Sequence, residues 1–392
     1  MHVRALACLA ALFLALPLGA QAAPLSSPTE ETPRGETPAE KAALDALLAE
    51  MSLEEKICQL FFITPEPLCR EGSVTAVTYG VENGLARYPV GGIILFPNNM
   101  KSERQLTALI SGMQKAALKR HGIGLFVGVD EEGGGISRVA TKLRLAEKQP
   151  VAGEIGRTGD PEQAFQAGAV IGGYLSRYGF NVNFAPVADV RTGLENTEIG
   201  SRSFGEDPQA VSEMVANFVR GVQSQGVFAV LKHFPGHGSA VGNAHEGRSI
   251  STRSAGQWRE AEWLPFQAGL EAGAGMVMMS HLTAAVVDNR HPASLSPRIV
   301  SELLRQELGF HGVVITDALR MDAIAASYGS GEACVLALKA GVDMLLLPKN
   351  FSNALEGVRA ALDSGELPPA RVEESVRRIL LLKMRGGLVE GA

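Results

Sequence analysis

The sequence predicts a single-domain α/β fold, a (β/α)8 TIM-type barrel. Short β-rich apolar runs alternate with helix-length amphipathic segments, and eight such runs can be counted. The predicted strands are QLFFIT (59–64), GGIILF (91–96), LFVGVD (125–130), VNFAPVADV (182–190), VFAVLKHF (227–234), AGMVMMSH (274–281), GVVITD (312–317) and DMLLLP (343–348). A doubly wound open sheet has nearly the same pattern up to its last strands. The count therefore favours the barrel but leaves the open sheet as an alternative.

Composition limits the class of protein. The chain has 392 residues, of which 46% are hydrophobic and 20% charged, the balance of a folded globular protein with a large core. The formal net charge is -6, and no block of Lys and Arg is present. We therefore expect no nucleic-acid partner.

Residues 1–22 have the features of a secretory signal peptide. Arg4 precedes an apolar stretch from Ala5 to Leu16, and small residues surround a cleavage point after Ala22. The apolar stretch is too short to span a bilayer stably, which leaves a buried N-terminal helix as the alternative. We expect an exported protein, periplasmic or extracellular, with no stable membrane span after removal of the signal.

The remaining residues divide into a linker and one folded domain. Residues 23–41 are rich in Pro, Glu, Thr and Ser, which predicts a disordered linker. Folded sequence is expected from Ala42, and Ser52 followed by Glu55 predicts a capping box at a helix start. An amphipathic helix close to the last residue leaves no room for a second domain. Residues 42–392 are thus predicted to form one barrel, which we expect to be a monomer.

Polar residues stand where several predicted strands end. In a parallel barrel these positions share the rim at which active sites are built. Six residues are expected to converge there from distant parts of the chain: Asp130, Asp189, Lys232, His233, His281 and Asp317. A carboxylate at the mouth of an apolar strand is partly desolvated, so Asp317 can serve as nucleophile, general base or metal ligand.

The segment LKHFPGHGSAVGNAHEG (231–247) contains three of the eight histidines. Two imidazoles four residues apart share a face only in a helix, and the Pro and Gly residues between His233 and His237 prevent one, so we expect no metal. No G-x-S-x-G motif supports a serine nucleophile, and VDEEGGG lacks phosphate-loop spacing. Acid/base chemistry remains, because this loop can bring the imidazole of His245 over a pocket floored by a carboxylate.

The surrounding polar residues suit a neutral ligand with many hydroxyl groups. Asp130 can accept hydrogen bonds from vicinal hydroxyls. The fixed cationic donors are Lys232, His233, Arg138 and Arg202. Carboxylates and cationic donors around a neutral polar ligand are what a sugar ring requires.

These motifs resemble those of the family 3 glycoside hydrolases, most closely their β-N-acetylglucosaminidase branch. The resemblance rests on VDEEGG..SR, IGSRSFGEDP, KHFPGHG followed after four residues by N-A-H, PASLSP and GFHGVVITDALRM. The motifs cover nearly the whole folded chain and occur in the family's order.

The resemblance implies a retaining exo-β-N-acetylglucosaminidase that acts on peptidoglycan or chitin-type fragments by double displacement. It also implies that neither a cofactor nor a metal is needed. By motif, Asp317 matches the nucleophile and His245 the acid/base. The positions that match those holding the terminal N-acetylglucosamine are Asp130, Arg138, Arg202, Lys232 and His233.

Three residues depart from the family's pattern. The branch usually has Asp two residues before the catalytic histidine, whereas this chain has Asn243, which can orient the imidazole of His245 but cannot stabilise its cation by charge. We therefore predict an imidazolium that loses its proton more readily and weaker activity than with an Asp-His dyad, unless Glu246 or another carboxylate approaches. Ala318 and Gly135 stand where Asp and Arg are common, and bear on subsite contacts more than on catalysis.

Three other functions remain open at this point: a β-glucosidase, an N-acetylglucosaminide phosphorylase and a low-activity sugar-binding relative. The KHFPGHG loop argues against the glucosidase, and the intact pair Asp317 and His245 argues against the binding module. Imidazole repels phosphate less than a carboxylate does, so phosphate could replace water as acceptor.

Overall fold

A computed structural model describes residues 35–69, 71–119, 122–193, 196–245 and 247–391. The predicted signal peptide, residues 23–34 of the predicted linker and Glu246 lie outside the described residues. The first helix begins at Pro38, four residues before the predicted start of folded sequence. Thr37 explains the difference, because its hydroxyl accepts the N–H of Glu40 while the Glu40 carboxylate accepts the N–H of Thr37.

Eight parallel strands form the centre of the molecule. They are β1 Phe61–Ile63, β2 Gly92–Ile94, β3 Phe126–Val129, β4 Val182–Asn183, β5 Phe228–Phe234, β6 Met276–Met279, β7 Val313–Thr316 and β8 Leu345–Leu346. Each strand pairs with the next in chain order from β1 to β7, and β8 pairs with β1. A parallel bridge between Ile315 of β7 and Met344 joins the two ends of the sheet. The predicted barrel is confirmed, each predicted run contains one strand, and the open-sheet alternative is wrong.

Helices surround the barrel. They span Pro38–Glu50, Leu53–Gln59, Glu66–Cys69, Tyr79–Arg87, Glu103–Leu118, Arg138–Leu143, Ala152–Gly156, Pro161–Tyr178, Pro208–Gln223, Ala255–Glu260, Trp263–Glu271, the π-helical Arg298–Glu307, Asp322–Ala325, Ser330–Ala340, Phe351–Asp363 and Pro369–Arg385. The predicted capping box is confirmed, since the Ser52 hydroxyl accepts the N–H of Glu55 and the Glu55 carboxylate accepts the N–H of Ser52. Among the described residues, no helix is long and apolar enough to cross a membrane.

Aromatic rings from non-adjacent strands meet inside the barrel. The rings of Phe62 and Phe184 meet edge to face with centroids 5.3 Å apart. A Cβ at Gly128 of β3 would lie 2.8 Å from the ring of Phe184 and 2.9 Å from that of Phe62. Gly128 therefore leaves room for two large side chains, so that the barrel is a packed core rather than a pore.

A buried ion cluster fastens the amino ends of the strands to the last helix. The carboxylate of Asp343, just before β8, contacts the guanidinium groups of Arg305, Arg371 and Arg378 and accepts the N–H of Val314 at 2.9 Å. Burial opposes ionisation, but the three cations hold the pKa of Asp343 below its ordinary value. This cluster lies at the end of the barrel away from Asp317.

Candidate active site

The strand ends bring the six predicted polar residues to one rim. Lys232 Nζ donates to Asp130 Oδ1 at 3.0 Å, although 102 positions separate the two residues. His233 Nδ1 lies 2.7 Å from Asp189 Oδ2. The carboxylate of Asp317 interacts electrostatically with the side chains of His233, His281 and Lys232. Parallel strand direction accounts for this convergence, since all carboxyl ends share the rim.

Asp317 is held at the end of β7 in an ionised state. Its N–H donates to Met279 O at 3.0 Å, which extends the pairing with β6, and its Oδ1 accepts the N–H of Ala318 at 2.7 Å. Burial opposes ionisation, but His233, His281 and the Ala318 N–H together hold the pKa of Asp317 below its ordinary value. An ionised, half-buried carboxylate at the mouth of a barrel is suited to nucleophilic attack.

His281 fixes the chain that follows Asp317. Its Nδ1 lies 2.8 Å from Ser294 Oγ, and its Nε2 lies 3.1 Å from the carbonyl oxygen of Ala318. Burial lowers the pKa of His281, which favours the neutral imidazole. A neutral ring that donates from Nε2 to Ala318 and accepts at Nδ1 from Ser294 satisfies both contacts. His281 is therefore a positioning residue at the rim.

Glu132 joins the cationic residues of the rim. Its buried carboxylate lies 2.6 Å from Lys232 Nζ and accepts from Arg202 Nε and Nη2 at 2.9 and 2.8 Å. Burial opposes ionisation, but Lys232 and Arg202 hold the pKa of Glu132 far below its ordinary value. The sequence did not predict this role for Glu132. Its place two residues after Asp130, just beyond a strand end, was the available signal.

The neighbouring Glu131 contacts the start of a helix instead of the cationic residues. Its carboxylate accepts the N–H groups of Val139 and Ala140 at 2.7 and 3.0 Å and the hydroxyl of Tyr174 at 2.8 Å. It thereby caps the short helix that starts at Arg138, a predicted sugar ligand. The Nε of Arg138 is buried without a hydrogen-bond partner among the described residues.

Asp189 shapes the start of the histidine-rich loop. Its Oδ2 accepts the backbone N–H of His233 at 3.2 Å as well as facing the ring, and its Oδ1 accepts the N–H of His237 at 2.6 Å. Burial opposes ionisation, but His233 and His237 hold the pKa of Asp189 below its ordinary value. The described residues contain no group of three or more His, Cys, Asp or Glu arranged to hold a metal ion.

The loop that carries His245 lies against the segment after Asp317. Ala244 is buried against Met321 and Ala323, and its carbonyl oxygen accepts the N–H of Ala323 at 3.2 Å. The side chain of His245 is 64% exposed. The imidazole is thus exposed on a loop that packs against residues 321–323, a few positions after the predicted nucleophile.

Asn243 contacts the backbone of His245. Its Oδ1 accepts the backbone N–H of His245 at 2.9 Å. The carboxylate beside the ring is that of Glu198, whose Oε1 lies 3.9 Å from His245 Nε2. Asn243 was predicted to orient the imidazole, and in the structure it orients the peptide group instead. Glu198 was missed because no strand or helix period marks its place in a long loop.

Comparison with known proteins agrees with the barrel fold and identifies the family. The family model described as the glycosyl hydrolase family 3 N terminal domain matches residues 52–382. The chain belongs to this family. It is 35% identical over 291 residues to a β-hexosaminidase of Stenotrophomonas maltophilia (strain R551-3), covering 73% of this chain and 84% of the relative. The predicted family resemblance is confirmed.

Two further glycoside hydrolase relatives extend the match. β-Hexosaminidase A of Pseudoalteromonas piscicida is 31% identical over 351 residues, which cover 82% of this chain and 57% of that protein. The solved family 3 β-N-acetylglucosaminidase of Paenibacillus sp. str. FPU-7 superposes with a TM-score of 0.80 at 32% identity, over 87% of this chain and 64% of that one. This chain thus spans less than two thirds of these two relatives. Its similarity is to glycoside hydrolases of the β-N-acetylhexosaminidase type.

Proposed function

We propose that this protein is an exported retaining exo-β-N-acetylglucosaminidase that removes terminal β-linked N-acetylglucosamine from peptidoglycan or chitin-type fragments. The observation that carries the proposal is the ionised carboxylate of Asp317 at the barrel mouth, with His245 on the loop that packs against the next segment. The names of the family 3 relatives, β-hexosaminidase and β-N-acetylglucosaminidase, support the substrate class.

The proposed reaction has two displacements. In the first, a carboxylate oxygen of Asp317 attacks the anomeric carbon while the imidazolium of His245 gives its proton to the departing glycosidic oxygen. The covalent glycosyl-enzyme and the free aglycone result. In the second, neutral His245 takes a proton from water, the water oxygen attacks the same carbon, and the Asp317 carboxylate leaves with the electron pair of the bond it had formed. The configuration at the anomeric carbon is retained.

The rim supplies hydrogen bonds that suit the terminal sugar. Asp130 is half-buried and offers acceptors to vicinal hydroxyls. The proposed donors are Arg138, Arg202, Lys232 and His233. Lys232 and Arg202 share the Glu132 carboxylate, which keeps two cations close together in a site for an uncharged ring.

The export part of the proposal rests on residues 1–22. Their cation, apolar stretch and small residues around the cleavage point are those of a signal peptide. An exported enzyme would meet glycan fragments outside the cytoplasm. Expression with and without residues 1–22, followed by fractionation, tests this part, and activity confined to the cytoplasm with the full chain would contradict it.

Chromogenic substrates test the activity. We expect p-nitrophenol release from para-nitrophenyl N-acetyl-β-glucosaminide, little from the glucoside, and no stimulation by added inorganic phosphate. Faster release from the glucoside would favour a β-glucosidase, and a glycosyl phosphate product would favour a phosphorylase. Binding of the sugar by calorimetry without release from any substrate would favour a sugar-binding protein.

The Asp317→Asn variant and a fluorinated sugar trap test the mechanism. The variant removes the attacking anion with little change of shape, so hydrolysis should fall by several orders of magnitude while sugar binding persists. Mass spectrometry of the trapped wild-type enzyme should find the adduct on Asp317. An adduct on another residue, or full activity in the variant, overturns the assignment.

A further inference from the structure

The acid/base loop lacks an anion at the position where its family usually has one. Asn243 stands two residues before His245 and carries no charge. Its Oδ1 is used by the backbone N–H of His245. An imidazolium without a nearby anion loses its proton more readily, and it is then a weaker supply of protons at neutral pH. The charge missing from residue 243 must come from elsewhere if His245 is to act as an acid.

Glu198 places a carboxylate beside this imidazole. Its Oε1 lies 3.9 Å from His245 Nε2, and its Oε2 accepts the N–H of Ala244 at 3.0 Å. The same Oε2 lies 3.1 Å from His237 Nε2. Burial opposes ionisation, but His237 and the Ala244 N–H lower the pKa of Glu198 to about 2. Glu198 is therefore an anion at neutral pH.

The Glu198 segment is fastened to the loop on which His245 lies. The side-chain amide of Asn196 donates to the carbonyl oxygens of His237 and Ala240 at 2.7 and 3.1 Å. Arg202 Nη1 donates to the carbonyl oxygen of Glu198 at 3.1 Å. These bonds hold the backbone of Glu198, while the bond to Ala244 holds its side chain one residue from His245. Hydrogen bonds between two loops thus fix the position of the carboxylate.

We propose that Glu198 takes the place of the missing aspartate and serves as the charge partner that faces the imidazole of His245 and directs it at the glycosidic oxygen. The carboxylate of the dyad would thus be supplied from the loop after β4 instead of from residue 243. Glu198 is a positioning residue, because it acts through His245 and not on the substrate. In its catalytic part the proposal rests on the proposed function.

Other charged groups near the loop act less directly on His245. His237 shares Glu198 and is buried, and Glu198 raises its pKa although burial opposes this. Arg248 is exposed on the same loop, and Asp322 is exposed at the start of the helix whose Ala323 bonds to Ala244. Of these groups, Glu198 has the contact of 3.9 Å with the imidazole. Glu246 follows His245 directly and provides a matched control.

The test compares pH–rate profiles of the wild type, Glu198→Gln, Glu246→Gln, Asn243→Asp and the double variant Glu198→Gln/Asn243→Asp. Glutamine keeps an acceptor for the Ala244 N–H and removes the charge, which is lost to His237 as well as to His245. For a pair at 3.9 Å in which only the imidazole is exposed, the alkaline limb of kcat/KM should move to lower pH by roughly 0.5–1 unit in Glu198→Gln. Glu246→Gln should leave the limb in place, and the double variant should restore it.

Leaving-group dependence separates a charge role from a merely structural one. Loss of acid catalysis matters more when the leaving group is a poor one. The Glu198→Gln variant should therefore lose more activity on N,N'-diacetylchitobiose than on the para-nitrophenyl glycoside. An equal loss on both substrates, or an unchanged alkaline limb, overturns the proposal. A limb that moves in Glu246→Gln and not in Glu198→Gln assigns the role to Glu246 and also overturns it.

NMR titration of the His245 ring keeps this test independent of turnover. The titration midpoint of the ring should move to lower pH in Glu198→Gln. Because His237 also contacts Glu198, its signal must be told apart from that of His245, and the signal that disappears in His237→Asn identifies it. If the midpoint moves but the wild type cleaves no glycoside, the charge pair stands and the proposed function fails. If the wild type is active and the midpoint does not move, the proposed function stands and the role of Glu198 fails.

Discussion

Replacement of Glu132 by glutamine removes the anion that Lys232 and Arg202 share. All three side chains are largely buried, with exposures of 6%, 3% and 20%. In the variant, Lys232 keeps Asp130 as its partner, whereas Arg202 keeps only the carbonyl oxygen of Glu198. Two neighbouring cations would then repel each other at the place proposed for the sugar.

The expected loss of stability follows from the burial of the pair. Breaking a buried ion pair by removing one partner costs about 3–5 kcal/mol, and the amide oxygen of glutamine recovers about 1 kcal/mol as a hydrogen-bond acceptor. The free energy of unfolding should therefore fall by about 2–4 kcal/mol. With an unfolding entropy of roughly 2 cal/mol/K per residue over roughly 350 ordered residues, the Tm should fall by about 3–6 °C.

Displacement of Lys232 and Arg202 should also weaken substrate binding. We expect KM for para-nitrophenyl N-acetyl-β-glucosaminide to rise roughly tenfold, because about 1.4 kcal/mol corresponds to the loss of one hydrogen bond to a charged donor. Calorimetric unfolding and initial-rate kinetics measure the two effects. Asp343→Asn is the matched control, because it removes a buried anion paired with arginines at the other end of the barrel. It should lower the Tm and leave KM unchanged. If Glu132→Gln also leaves KM unchanged, the role of Glu132 at the site is refuted.

Two more predictions concern buried titratable groups. Burial lowers the pKa of Lys383 to about 7, and its Nζ donates to Gln59 Oε1 at 2.8 Å. Because the unfolded lysine has a higher pKa, near 10.4, the unfolded state binds more protons between about pH 7 and pH 10, so wild-type stability should rise with pH across that window. Lys383→Met should flatten this rise and stabilise the protein below pH 7 by about 1–3 kcal/mol. Urea unfolding at pH 6, 8 and 10 measures the effect. If the free energy of unfolding depends on pH equally in both proteins, the prediction is wrong. Asp189→Asn should lower kcat/KM about ten- to a hundredfold, because His233 loses the charge that holds its ring. The pH–rate profile measures the effect. If kcat/KM and its pH dependence equal those of the wild type, Asp189 is not needed.

The sequence alone predicted the eight strands and the family resemblance, and it favoured the barrel over an open sheet. Eight apolar runs at helix-length spacing correspond to the eight strands, because burial on both faces requires continuous apolar residues in a parallel strand. Residues that end those runs, such as Asp130, Lys232 and Asp317, could be placed on one rim from strand direction alone. The helix start at Ser52 was also local information, since both partners of a capping box lie within four residues.

Tertiary structure alone decided which charges meet. Glu132 reaches Arg202 across 70 positions, and Glu198 approaches His245 across a loop contact. No periodicity in the sequence encodes such a pairing, because a carboxylate in a loop has the same local pattern whether it faces solvent or a buried cation. Asn243 was the expected orienting group because the family usually has Asp at that position, yet its Oδ1 accepts the backbone N–H of His245. Electrostatic partners depend on distance in space and on burial, and both exist only after the loops have packed.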